Sequence, residues 1–357
     1  MLEIRGLKVQ LNSAHGVIHA VNGVNLSLAR GQTHALVGES GSGKSVTALA
    51  VAGLLPPRQT TIRGHILLDG TDLTMLSERQ MRRIRGGDIA MIFQDPSAAL
   101  NPVRRVGGQV AEALTAHGMS RREARVKAHG LLSDVGLYKP DQLARNYPFE
   151  LSGGMKQRVV IAAALGPRPK VLLADEPTTA LDATIQEQVL RLLHRMTVDR
   201  GTAMLLITHD LAVAARAAGQ VSVMYGGTIV ETGDTAAILR HPRHPYTVGL
   251  LGAVPRLSRA TVPLRGVGGE PIDSRAVPPG CPFAPRCQWA VARCWTQPPV
   301  LTPAAAVGDE TGSGGYPHLA ACWNQVLPAE VTVGKPARPG FHRADGPAGR
   351  HGAVSAP

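Results

Sequence analysis

The chain has no run of about 18 apolar residues, so no segment is expected to span a bilayer. Its longest central apolar block, Val159 to Leu165, is far too short. The opening MLEIRGL carries Glu3 and Arg5 and no apolar h-region, so a secretory signal is not expected and the chain should stay in the cytosol. Cysteine is scarce. The four residues Cys281, Cys287, Cys294 and Cys322 share one short stretch, and in a reducing compartment this argues for a metal or cluster site over disulfides. Proline is scarce at first, with nine of 27 in residues 1–240. Internal repeats and heptad arrays are missing. Between Met1 and Gly38 there is no Phe, Tyr or Trp.

What is present begins with 357 residues, 44% of them hydrophobic, which excludes global disorder and suggests two domains. The formal charge of +12 suits an anionic partner: nucleotide, nucleic acid or lipid surface. That charge is spread, 27 basic against 20 acidic in residues 1–240 and 11 against 6 beyond, so it forms no basic stripe. Residues 1–240 alternate strand-like and helix-like segments, the pattern of an α/β domain with a largely parallel sheet. Residues 241–333 are rich in Pro, Gly and Cys and form a small loop-rich extension that a metal centre would help to hold. Residues 334–357 are Pro, Gly, Ala and Arg and read as a disordered tail.

Three motifs carry chemistry. Gly38-Glu39-Ser40-Gly41-Ser42-Gly43-Lys44-Ser45 fits G-x-x-x-x-G-K-[ST], after a strand-like run and before the helix-like run that opens at Val46. Glycines let successive N–H groups face phosphates, and a helix start adds its dipole. Lys44 should pair with the β- and γ-phosphates of ATP, and Ser45 should ligate Mg²⁺. In Val171-Leu172-Leu173-Ala174-Asp175-Glu176, an apolar strand delivers two carboxylates at its C-terminal end, Asp175 for the Mg²⁺ shell and Glu176 as general base. Leu151-Ser152-Gly153-Gly154-Met155 opens another helix with a second anion-binding start. One site has no use for two, so Ser152, Gly153 and Gly154 should meet the γ-phosphate held by a second chain.

Together these motifs resemble the nucleotide-binding domain of ABC ATPases. The resemblance implies an ABC-type P-loop fold: a mixed sheet core, an antiparallel β subdomain, and a helical subdomain near residues 95–165. It implies further site residues. Gln94 in MIFQDP matches the Q-loop glutamine that contacts Mg²⁺ or water, Asp182 in TTALD the interface aspartate, and His209 in LLITHD the switch histidine. The family stacks adenine on an upstream aromatic residue, for which Leu11 or His15 would have to substitute here.

QDPSAALNPVRRVGGQV, YPFELSGGMKQRVVIAAAL, the HPYT at His244 to Thr247 and GCPFAPRC at Gly280 to Cys287 are similar to the oligopeptide/dipeptide importer branch. That implies a peripheral protein on the cytoplasmic side of the cell membrane. Its partners would be a second, sister ATPase subunit, two transmembrane permease subunits and an extracytoplasmic solute-binding protein. The cargo would be peptides, or nickel or another small solute. No nucleic acid is expected, a soluble ATPase acting on nucleic acid or ribosomes being the rival reading. The cysteine spacings of five, six and 27 residues suit a [4Fe–4S] cluster, which members of the branch can carry, with zinc and His318 as the alternative.

Overall fold

The computed structural model describes residues 1–179, 181–253, 266–304 and 316–325. The expected tail, 334–357, lies outside them.

The core is a sheet whose strands Ile89–Ile92, Val171–Asp175, Ala203–Thr208, Thr33–Val37 and Gln220–Tyr225 run parallel in that order. Strands of this kind are covered on both faces and therefore apolar at successive positions. Leu172, Ala174, Met204 and Leu206 face one core; Val171, Leu173, Leu205 and Ile207 face the other. On the first face sit helices Val106–Thr115, Arg121–Asp134 and Gly153–Leu165. On the second packs a four-stranded sheet, antiparallel throughout, of Gly16–Leu28, Leu2–Ser13, Thr60–Leu68 and Thr71–Asp72.

The far edge is finished by the C-terminal extension. Strand Thr228–Asp234 hairpins against Gln220–Tyr225, and the two-residue strands Leu319–Ala320 and Thr302–Pro303 add beyond it. The extension shares a core with the sheet: Tyr246, Phe283, Cys281 and Cys294 pack with Val37, Val223 and Tyr225. The Tyr225, Tyr246 and Phe283 rings lie 4.7–5.4 Å apart, tilted or edge-on, the arrangement aromatic quadrupoles favour.

Two buried histidines are held as neutral groups, His244 against this core and His34 on the opposite face of the Thr33–Val37 strand. His34 Nε2 bonds Ser222 Oγ at 2.8 Å, and His244 Nδ1 accepts from the Tyr246 N–H at 3.1 Å. Burial pushes both pKa values from 6.5 down to about 4, for His244 against the opposing pull of Glu231. The unfolded chain therefore takes up protons that the folded chain refuses. Their contribution to stability is full above pH 6.5 and is lost as pH falls toward 4, by about 3 kcal/mol for each group. The unfolding midpoint should drop steadily between pH 7 and 4.5; a flat profile there would contradict the burial.

Candidate active site

The Thr33–Val37 strand is buried throughout and delivers the loop Gly38 to Gly43 to the helix Lys44–Val51. Two glycines are obligatory for the loop's path. A Cβ on Gly38 would stand 2.2 Å from Met224 O, and one on Gly43, at φ +104°, 2.3 Å from Ala20 O. The loop is thus pressed against the hairpin around Met224, with Gly227 N donating to Ser42 O at 3.0 Å.

Ser40, Gly41, Gly43, Lys44, Ser45, Val46, Gln94, Glu176, Thr179 and His209 line one cavity of about 590 Å³. The buried Lys44 ammonium donates to Gly38 O at 2.7 Å and Glu39 O at 2.8 Å, with Ser42 Oγ at 3.3 Å. Burial lowers its pKa, opposed by the carboxylates of Glu176, Asp175 and Glu39. Ser45 Oγ donates to Asp175 Oδ1 at 3.0 Å. Burial raises the Asp175 pKa, as does the Glu176 charge, against the Ser45 bond and Lys44.

Glu176 is the centre of a hydrogen-bonded set. Oε2 accepts from Thr179 Oγ1 at 2.8 Å and Gln94 Nε2 at 3.2 Å; Oε1 pairs with His209 Nδ1 at 3.0 Å. Burial works against its charge, but the bonds from His209 and Thr179 prevail and its pKa lies below the ordinary carboxylate value. Its backbone sits at φ +46°, a conformation costly for a non-glycine residue and held here by its N–H bond to Ile207 O at 2.9 Å.

Gln94, Asp175, Glu176 and His209, 115 residues apart at their extremes, are therefore gathered with the phosphate loop. Ser152, Gly153, Gly154 and Asp182 are not. Ser152 caps its own helix through Met155 N at 3.4 Å, and Asp182 caps Ala183–Arg200 through Thr184 N and Ile185 N. Neither motif lines the cavity of its own chain.

Sequence reasoning missed Thr179, Ile18, Ala20 and Ser274. The last comes from the extension, and its carbonyl accepts from His19 N at 2.8 Å. Leu11 and its cross-strand partner Ile18 form an aliphatic wall, whereas His15 lies exposed in the turn beside them and does not line the cavity.

The four cysteines are drawn together, but not as a finished site. Cys281, Cys287 and Cys294 all act electrostatically on Cys322, and burial pushes up the thiols of Cys281, Cys287, to about 11, and Cys322, to about 12. Among the described residues no three His, Cys, Asp or Glu side chains are arranged to hold a metal ion. The expected four-thiol metal site is therefore not seen as a formed site among the described residues. His318 Nε2 pairs with Glu231 Oε1 at 2.7 Å, so that nitrogen is taken.

Two family profiles match the chain: ABC transporter over residues 21–179, and oligopeptide/dipeptide transporter, C-terminal region, over residues 230–294. It is 44% identical to the dipeptide transport ATP-binding protein DppD of Bacillus subtilis over 335 residues, 93% of this chain and 97% of that one. It is 45% identical to the probable D,D-dipeptide transport ATP-binding protein DdpD of Escherichia coli over 325 residues, 90% and 96% of the two chains. A solved dimeric ATP-binding cassette in a post-hydrolysis state with ADP and Pi superposes with a TM-score of 0.59 at 28% identity, covering 66% of this chain and 99% of that one. The chain is an ATPase of the ABC transporter family, in the branch of ATP-binding proteins that bear the oligopeptide/dipeptide transporter C-terminal region.

Proposed function

We propose that this chain hydrolyses ATP to power the import of dipeptides and oligopeptides, working on the cytoplasmic face of a membrane beneath two permease subunits. The observation that carries the reading is one hydrolytic constellation around Glu176 in a chain whose extension matches the peptide-transporter region and packs into the same core. No helix among the described residues is long and apolar enough to cross a membrane.

The loop amides from Gly38 to Ser45 and the following helix start take the phosphates, with Lys44 as their counter-charge. Ser45, Asp175 and Gln94 would hold Mg²⁺, which neutralises charge between the phosphates when bound. The Ser45 hydroxyl and Asp175 carboxylate already meet, and an all-oxygen donor set suits that ion. Glu176 accepts the proton of the attacking water, and Gln94, Thr179 and His209 fix the direction of its two oxygens. Leu11 and Ile18 take the base by apolar contact.

Ser152, Gly153, Gly154 and Asp182 serve the nucleotide of a second ATPase, a sister chain placed head to tail. ATP held between two chains favours the closed pair, and its hydrolysis releases it. An apolar cleft of about 300 Å³ lined by Phe93, Met91, Leu100 and Val160 opens beside Gln94 and receives a permease segment. The four cysteines would ligate a [4Fe–4S] cluster, with one zinc as the alternative; what supports this is their spacing in the sequence and the approach of Cys281, Cys287 and Cys294 to Cys322.

The test is a mild-detergent pull-down of the tagged chain from its own membranes without oxygen, with mass spectrometry and metal analysis. Two polytopic subunits, a solute-binding protein whose ligand is a peptide, and about four iron and four sulfide per chain are expected. Ribosomal or DNA-bound partners would sink the transport reading, and stoichiometric zinc would sink the cluster.

A further inference from the structure

Glu39 is the second residue of the phosphate loop, yet its side chain does not line the nucleotide cavity. It turns the other way, into the extension. Arg286 meets it with both ends of the guanidinium: Nη1 to Oε2 at 2.7 Å and Nη2 to Oε1 at 3.1 Å. This fork-to-fork geometry fixes direction as well as distance. The remaining Arg286 donors are used as well, on Gly268 O at 2.7 Å, Val267 O at 2.9 Å and the Tyr225 hydroxyl at 3.3 Å. The Arg286 side chain is 4% exposed and that of Glu39 27%, so the guanidinium end of the pair is shielded from water while the carboxylate is shielded only in part. The Glu39 backbone is held from the same side, its N–H donating to the buried Tyr246 hydroxyl at 2.8 Å. On its inner side, Glu39 O accepts from Lys44 Nζ at 2.8 Å. A continuous path therefore runs from the cysteine-bearing segment, where Arg286 immediately precedes Cys287, through Glu39 to the lysine that faces the phosphates.

A loop that must present several amides to phosphate at once loses affinity when its backbone is free to wander. Gly38, Gly41 and Gly43 make this loop intrinsically permissive. Its rigidity has to come from contacts, and the extension supplies two of them.

We propose that Arg286 is a positioning residue of the ATP site: through Glu39 it holds the phosphate loop in shape, making the extension a working part of nucleotide binding. This rests on the reading that the Gly38–Ser45 loop binds ATP.

The experiment measures binding of a fluorescent ATP analogue to the full chain and ATP hydrolysis by the assembled transporter, for Arg286→Met, Glu39→Gln, the double variant and Arg286→Lys. Each single change should weaken binding about tenfold, with the double variant no worse than either. KM for ATP should rise while kcat stays within about threefold, because the groups acting on the attacking water are untouched. Arg286→Lys, which keeps the charge but loses the fork, should recover part of the affinity. Thermal melts separate this from general loss of fold: Glu39→Gln, an isosteric change at a part-exposed position, should melt with wild type. Unchanged affinity in Glu39→Gln, or losses that simply add in the double variant, would overturn the proposal. A wild-type chain that failed to bind the analogue would instead overturn the reading of the loop itself.

Discussion

Glu176→Gln should bind ATP within about threefold of wild type while steady-state hydrolysis falls at least a hundredfold. The side chains differ by one heteroatom, so packing is preserved. Lys44, Ser45 and the loop amides, which carry phosphate affinity, are not touched. The amide oxygen can still accept the bonds from Thr179 and Gln94. What is lost is the proton acceptor. In the wild type, the carboxylate is kept ionised across the neutral range, because the bonds from His209 and Thr179 outweigh the cost of its burial. The price in basicity is offset by position, since its two oxygens are aimed by three side chains from separate segments. The measurement is phosphate release by the assembled transporter beside equilibrium binding of nucleotide. Undiminished turnover would remove Glu176 from the role of base. Reduced binding in proportion to reduced turnover would mean that it acts on the ground state.

The parts of this site that were legible in the sequence are those whose chemistry is local. A phosphate loop needs its glycines, lysine and serine within eight residues, and a strand that ends in two carboxylates announces both the buried sheet and the reacting end of it. The parallel sheet was legible for the same reason: runs such as VLLA and LLIT are apolar at consecutive positions because both faces are covered. Thr179 was passed over because a threonine in a turn carries no signal until its hydroxyl is seen on Glu176. His318 drew notice by its nearness to Cys322, and its bond to Glu231, 87 residues away, could not be read from the sequence. The strands Thr302–Pro303 and Leu319–Ala320 are two residues each, too short to show any period. The Arg286–Glu39 pair spans 247 residues, and nothing at either end names the other.

Glu231→Ala should cost about 3–5 kcal/mol of stability and loosen the extension from the sheet. Glu231 lies on the hairpin strand Thr228–Asp234 and is 0% exposed. Its carboxylate accepts from Arg243 N at 2.7 Å and His244 N at 2.9 Å, and pairs with His318 Nε2 at 2.7 Å. One side chain thus ties together the edge of the sheet, the start of the helix Pro245–Gly252 and the returning segment that forms Leu319–Ala320. Truncation strands two buried N–H donors and a histidine nitrogen at once, and buried donors left without partners are what make such changes severe. Glu231→Gln keeps the volume but exchanges one acceptor for a donor facing an N–H, so it should cost about 1–2 kcal/mol. Urea melts give the energies, and limited proteolysis reads where the structure opens, with cuts expected beyond residue 241 before the phosphate-loop domain is touched. Glu231→Ala melting within 1 kcal/mol of wild type would contradict the anchoring role. Because Tyr246 follows His244 by two residues and holds Glu39 N, an extension loosened at Glu231 should also bind ATP more weakly, at protein concentrations and temperatures where the sheet itself remains folded.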